Sequence, residues 1–113
     1  MGKVEQYRSV IKKIIQEHAD LMNSQPVQGQ FVDCVFDEKS DQYLLLKYGW
    51  VRGSRQHYTK LHIRLYQEKI WIEEDLTEDG FAIDLLYEGI PKEEIVLGFN
   101  VPGRQDMSEY VLA

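Results

Sequence analysis

The chain has 113 residues, of which 43% are hydrophobic and 28% charged, and it carries one cysteine. Length and composition are those of one globular domain spanning 1–113; they exclude a disordered chain and an internal disulfide, and imply a reducing, cytoplasmic setting. No apolar run approaches the roughly 18 residues of a membrane span, and the net charge of −6 argues against generic nucleic-acid binding.

Apolar residues at Val4, Tyr7, Ile11, Ile14, Ile15, His18, Leu21 and Met22 recur at spacings of three and four. This predicts an amphipathic helix over about 3–22. Pro26 ends it by pushing Gln25 out of the helical region. From Gln30 the period becomes two, with Val32, Cys34 and Phe36 on one face of a first strand. A short polar link at 38–40 leads to a second strand over 42–50, in which Leu44, Leu46, Tyr48 and Trp50 share a face. The pair predicts an antiparallel hairpin.

A turn-like stretch, Arg52 to Arg55, precedes a third strand over 58–66, with Leu61, Ile63 and Leu65 opposite His62 and Arg64. Gln67-Glu68 turns the chain into a fourth strand over 69–74. Thr77 as N-cap, Glu78 and Asp79 in the first turn and Gly89 as stop predict a second helix over 78–88. Pro91 then opens a short helical turn, and beyond Gly98 the period is lost.

The order predicts a two-layer α+β fold: an N-terminal helix, a four-stranded antiparallel meander, then C-terminal helices. Leu44, Leu46, Leu61, Ile63 and Ile70 are the expected core, with the opposite sheet face solvated or covered by a partner.

Catalytic patterns are sparse. His57 and His62 lie five apart, Cys34 stands alone, and neither HExxH, CxxC, GxGxxG nor a Walker lysine occurs, so no metal, nucleotide or other cofactor is expected. Cys34 shares its face with Val32 and Phe36 and reads as a buried, inert thiol. The acids Glu73, Glu74, Asp75, Glu78 and Asp79 read as a strand end and a helix start. Asp37-Glu38-Lys39 has the spacing of some nuclease sites but falls in a hairpin loop.

Charge is unevenly spread. Residues 1–41 carry −2, residues 42–67 carry +5 without one acid, and residues 68–113 carry −9. The acid-free segment interleaves cations with aromatics, which suits an acidic protein surface or phosphates. Arg52, Arg55, Tyr58, Lys60, His62, Arg64 and Tyr66 are the candidate partner-binding residues. The alternative is internal: the segment neutralises the acidic one that follows it.

Three stretches resemble the XisI family, the cyanobacterial proteins named fdxN-element excision controlling factors. They are Val4-Glu5-Gln6-Tyr7-Arg8, Lys69-Ile70-Trp71-Ile72-Glu73-Glu74-Asp75, and Gly89-Ile90-Pro91-Lys92-Glu93-Glu94-Ile95-Val96-Leu97-Gly98-Phe99. The resemblance implies a non-enzymatic regulator of programmed DNA excision, acting with an XisH-like protein beside a site-specific recombinase. It carries no catalytic residue. On this reading DNA is contacted indirectly or weakly, and a homo-oligomer is compatible with it. The competing expectation is a DNA-binding accessory factor using the basic aromatic segment 47–66.

Overall fold

The computed structural model describes residues 2–25, 27–77, 80–98 and 111–112. Helix α1 (Lys3–Ser24) lies across a sheet of six strands: β1 (Gln30–Asp37), β2 (Gln42–Val51), β3 (Ser54–Tyr66), β4 (Lys69–Asp75), β5 (Ile95–Leu97) and β6 (Val111–Leu112). A short helix, α2 (Phe81–Tyr87), joins β4 to β5. The strands lie in chain order, so no connection crosses another.

The antiparallel meander of β1 to β4 is as the sequence predicts, but the sheet does not end there. Ile95, expected to end the short helical turn, instead opens β5 with Val96 and Leu97, and β5 pairs parallel to β4 through Ile70↔Ile95 and Ile72↔Leu97. The β6 strand pairs parallel to β5 in turn. A parallel pair needs a crossover, and α2 with the 3-10 turn Lys92–Glu94 supplies it. Pro91 precedes that turn rather than opening it. Three apolar residues in a row have no period, which hid β5 from a pattern argument.

The second helix begins at Phe81, and Gly80, not Thr77, occupies its N-cap. Asp75 reaches over instead: its carboxylate accepts from the N–H groups of Thr77, at 3.0 Å, and Phe81, at 2.6 Å. The expected first-turn acids Glu78 and Asp79, like Pro26, lie outside the described residues. At the other end of α1, Gln25 has left the helical region with φ −126° and ψ 69°.

The core lies between α1, α2 and one sheet face. Tyr7, Ile11, Ile14, Ile15 and Ala19 of α1 meet Leu61, Ile63, Leu65, Ile70, Ile72, Phe81 and Leu85. Leu21, placed on the buried stripe by its spacing, is 70% exposed, while Ala19 and Met22 carry the last core contacts of α1. The second strand has the opposite register to the one expected: Tyr43 and Leu45 are fully buried, while Leu44 and Leu46 face away and are half-buried. Pairing explains it. Phe36 faces Tyr43 and Cys34 faces Leu45, so the inward residues of β1 select the odd positions of β2. The consecutive leucines at 44–46 left that parity undetermined in the sequence.

Both downstream hairpins turn in two residues with positive φ: Arg52 at 52° with Gly53 at 80°, and Gln67 at 52° with Glu68 at 62°. These are the primed turns that fit strand twist. The first starts β3 at Ser54 rather than 58.

Candidate functional site

Alternation puts a mixed aromatic and basic surface on the sheet face opposite α1, which no helix among the described residues covers. Register aligns Phe31, Tyr48 and His57 across β1, β2 and β3, and Trp50 beside Arg55. The rings stack along that row, with centroids 5.7 Å apart for Phe31 and Tyr48 and 6.3 Å for Tyr48 and His57. The Arg55 guanidinium stands 5.9 Å from both the Tyr48 and the Trp50 ring centres. Phe31 is 54% and Trp50 56% exposed, so this cluster stands in solvent. The Tyr48 hydroxyl donates to Asp33, and that carboxylate holds the phenol above its ordinary pKa.

A second cluster lies toward β4. Arg64 sits between Tyr66 and Trp71, 4.9 and 4.7 Å from their centroids, and is ion-paired to Glu73. Between the clusters His62 shares a 2.6 Å hydrogen bond with Gln42.

Of the residues singled out from sequence, Arg55, His62, Arg64 and Tyr66 therefore share the open face. Arg52 is in the β2–β3 turn. Tyr58 pairs with Lys47 and faces the α1 side, lining a small hollow with Gln30 and Gln56. Lys60 is the extra residue where the β2–β3 register shifts between Leu45 and Leu46. Burial first, and then the Lys47 charge, lowers its pKa. Tyr58 and Lys60 are thus separated from the rest. In exchange the face gains Phe31, Tyr48, Trp50, His57 and Trp71, most of which follow from the same alternation once β2 has its observed register.

The cations of this segment divide between the partner-binding and the internal-pairing readings. Arg64 is paired to Glu73, as internal neutralisation requires. Arg52, Arg55 and Lys60 make no ion pair among the described residues. Two acids beyond the segment pair outside it: Glu94 with Lys3 and Lys69, and Glu88 with Lys13.

A groove between α1 and α2 holds the pair His18 and Asp84, 2.8 Å apart, with Glu17, Leu21, Tyr87 and Glu88 around it. No serine, threonine or cysteine lines it for such a pair to activate. Cys34 is half-buried with its sulfur 4.0 Å from the Ile15 carbonyl, and burial raises its pKa, so the thiolate is disfavoured. Among the described residues, no helix is long and apolar enough to cross a membrane.

The model of the XisI protein family matches residues 1–112. Two solved structures are similar over almost their whole length. One is a XisI-like protein from Anabaena variabilis ATCC 29413, 27% identical, covering 99% of this chain and 100% of that chain with a TM-score of 0.85. The other is fdxN element excision controlling factor XisI from the same organism, 36% identical, covering 97% and 98% with a TM-score of 0.81. No curated protein matches the chain.

Proposed function

Since the chain belongs to the XisI family, we propose that it is a non-enzymatic control factor for excision of a DNA element, acting by binding a protein partner on the open sheet face. The observation that carries this is the exposed cluster of Phe31, Tyr48, Trp50, Arg55 and His57. Tryptophan, tyrosine and arginine dominate the energetics of protein interfaces, because they bury large rigid area and still offer a polar end. An XisH-like protein with an acidic contact surface is the proposed partner.

Direct DNA binding is the weaker reading. Of the five cations in 42–67, Arg64 is held by Glu73, while Lys47 and Lys60 belong to the helix side or its bulge. That leaves Arg55 and Arg52 at one end of the face, too little to track a phosphate backbone.

Capture of an XisH-like protein tests the proposal. Arg55→Glu should weaken capture at least tenfold with an unchanged melting temperature, and reversal of an acid on the partner should restore it. Equal capture by wild type and variant would overturn the assignment of this face. Binding to DNA that falls steeply with salt, and is lost in the same variant, would favour the DNA reading instead.

A further inference from the structure

The first strand ends the sheet on one side and is unusual for an edge. Sheet edges are ordinarily blunted by lysine, proline, a bulge or shortness. At Gln30–Asp37, β1 has no lysine, proline or bulge and is eight residues long, its only charges being Asp33 and Asp37, and its register with β2 runs without a shift, whereas β2–β3 and β3–β4 each contain one. At the other end of the sheet β6 is two residues long. Apolar side chains stand out on both faces of β1: Phe31 is 54% and Val35 42% exposed on the open side, and Val32, Cys34 and Phe36 are half-buried on the α1 side.

The backbone groups of β1 that no described residue pairs can be assigned. Trp50 N–H donates to Gly29 O at 2.9 Å. By the alternation of an antiparallel ladder, the odd residues of β1 then bond to β2, and Val32, Cys34 and Phe36 point their N–H and C=O groups outward.

We infer that this edge pairs with the β1 edge of a second copy of the chain, antiparallel, with Cys34 on the two-fold axis. Facing residues must lie on the same side of the sheet, which limits the registers to those joining positions of equal parity. Centring on Asp33 sets it against its own copy, and centring on Val35 sets Asp33 against Asp37, both like-charge contacts directly opposite. Centring on Cys34 avoids both. Val32 then exchanges hydrogen bonds with Phe36 of the other copy, Cys34 with Cys34, and Asp33 faces Val35. A second copy fits better than an unrelated strand because this register uses the whole of β1 and leaves no carboxylate facing another. The open faces of the two copies then join into one continuous surface.

Sedimentation equilibrium over a concentration series tests it. The mass should rise from 13.3 kDa toward twice that value, and Val35→Asp, which sets an acid opposite Asp33 on both sides of the axis, should hold it at the lower value. Register is read in a Cys34→Ser background by mixing Asp33→Cys with Val35→Cys. Those positions face one another at about 4.5 Å between Cα atoms, within disulfide reach, so a crosslinked dimer should form in the mixture and far less with either variant alone. A wild-type chain that remains at 13.3 kDa at every concentration overturns the inference. So does a dimer that Val35→Asp leaves intact, or one in which Asp33→Cys crosslinks to itself.

Discussion

Truncation of two neighbouring leucines separates the two faces of the sheet. Leu45 is fully buried, lying between Cys34 and Leu61 on the flanking strands and beneath α1. Leu45→Ala removes its buried methyl groups and leaves a cavity that close-packed neighbours fill only in part, a cost of about 2–5 kcal/mol. Against the 5–15 kcal/mol typical of a domain this is a large share. At about 4 °C per kcal/mol for a chain of this size, the melting temperature should fall by about 8–20 °C. Leu44 faces the other way, half-buried between Val35 and His62. Leu44→Ala loses about half the transfer term and opens no enclosed cavity, so it should cost about 1 kcal/mol, or about 4 °C. Melts followed by far-ultraviolet circular dichroism measure both. A drop for Leu44→Ala equal to or larger than that for Leu45→Ala would refute the packing described for β2.

Asp41 accepts hydrogen bonds from Arg8, at 2.7 and 3.2 Å, and from Tyr43, at 2.8 Å, and the Arg8 contact holds its carboxyl below the usual carboxylate range. A lowered folded-state pKa stabilises above the unfolded value of about 3.9 and is lost as pH falls through the folded one. The urea midpoint of Asp41→Asn should therefore trail wild type at pH 7 and converge on it below about pH 4; a gap that persists in acid would exclude this linkage. Gly49 has φ 142°, and a Cβ there would lie 2.0 Å from Gly29 O. Gly49→Ala should lower stability by at least about 1–3 kcal/mol and loosen the start of β1, seen as faster amide exchange at Phe31 and Asp33, whose N–H groups face β2. Glu68 sits at φ 62° in the β3–β4 turn, so Glu68→Gly should relieve left-handed strain and raise stability by about 1 kcal/mol in a thermal melt. A lower melting temperature would count against the primed turn.

Much of the fold could be read in the sequence because two periods dominate it. Helix α1 follows from the spacing of Tyr7, Ile11, Ile14 and Ile15, and β1, β3 and β4 from strict alternation, with Leu61, Ile63 and Ile70 in the core as expected. What failed did so where the period is silent. Leu44, Leu45 and Leu46 satisfy either parity, and only the pairing with β1 chooses. The run Ile95, Val96 and Leu97 is apolar throughout, because a strand inside a mixed sheet is buried on both faces. The site shared both outcomes: alternation placed His62, Arg64 and Tyr66 together, while the bulge at Lys60 and the Tyr58–Lys47 pairing turned two of the chosen residues away. Bulges leave little mark in composition, so those two positions needed the ladder itself.

The most direct test of the account asks whether Trp50 is covered when the partner binds. The chain contains two tryptophans, Trp50 in the exposed cluster and Trp71 beside Arg64. Labelled with 5-fluorotryptophan, they give separate fluorine resonances that Trp71→Phe assigns. On titration with the XisH-like protein the Trp50 resonance should shift and broaden and lose its response to a soluble paramagnetic quencher. Formation of the complex with the Trp50 resonance unmoved and still quenched would place the interface elsewhere and contradict the account.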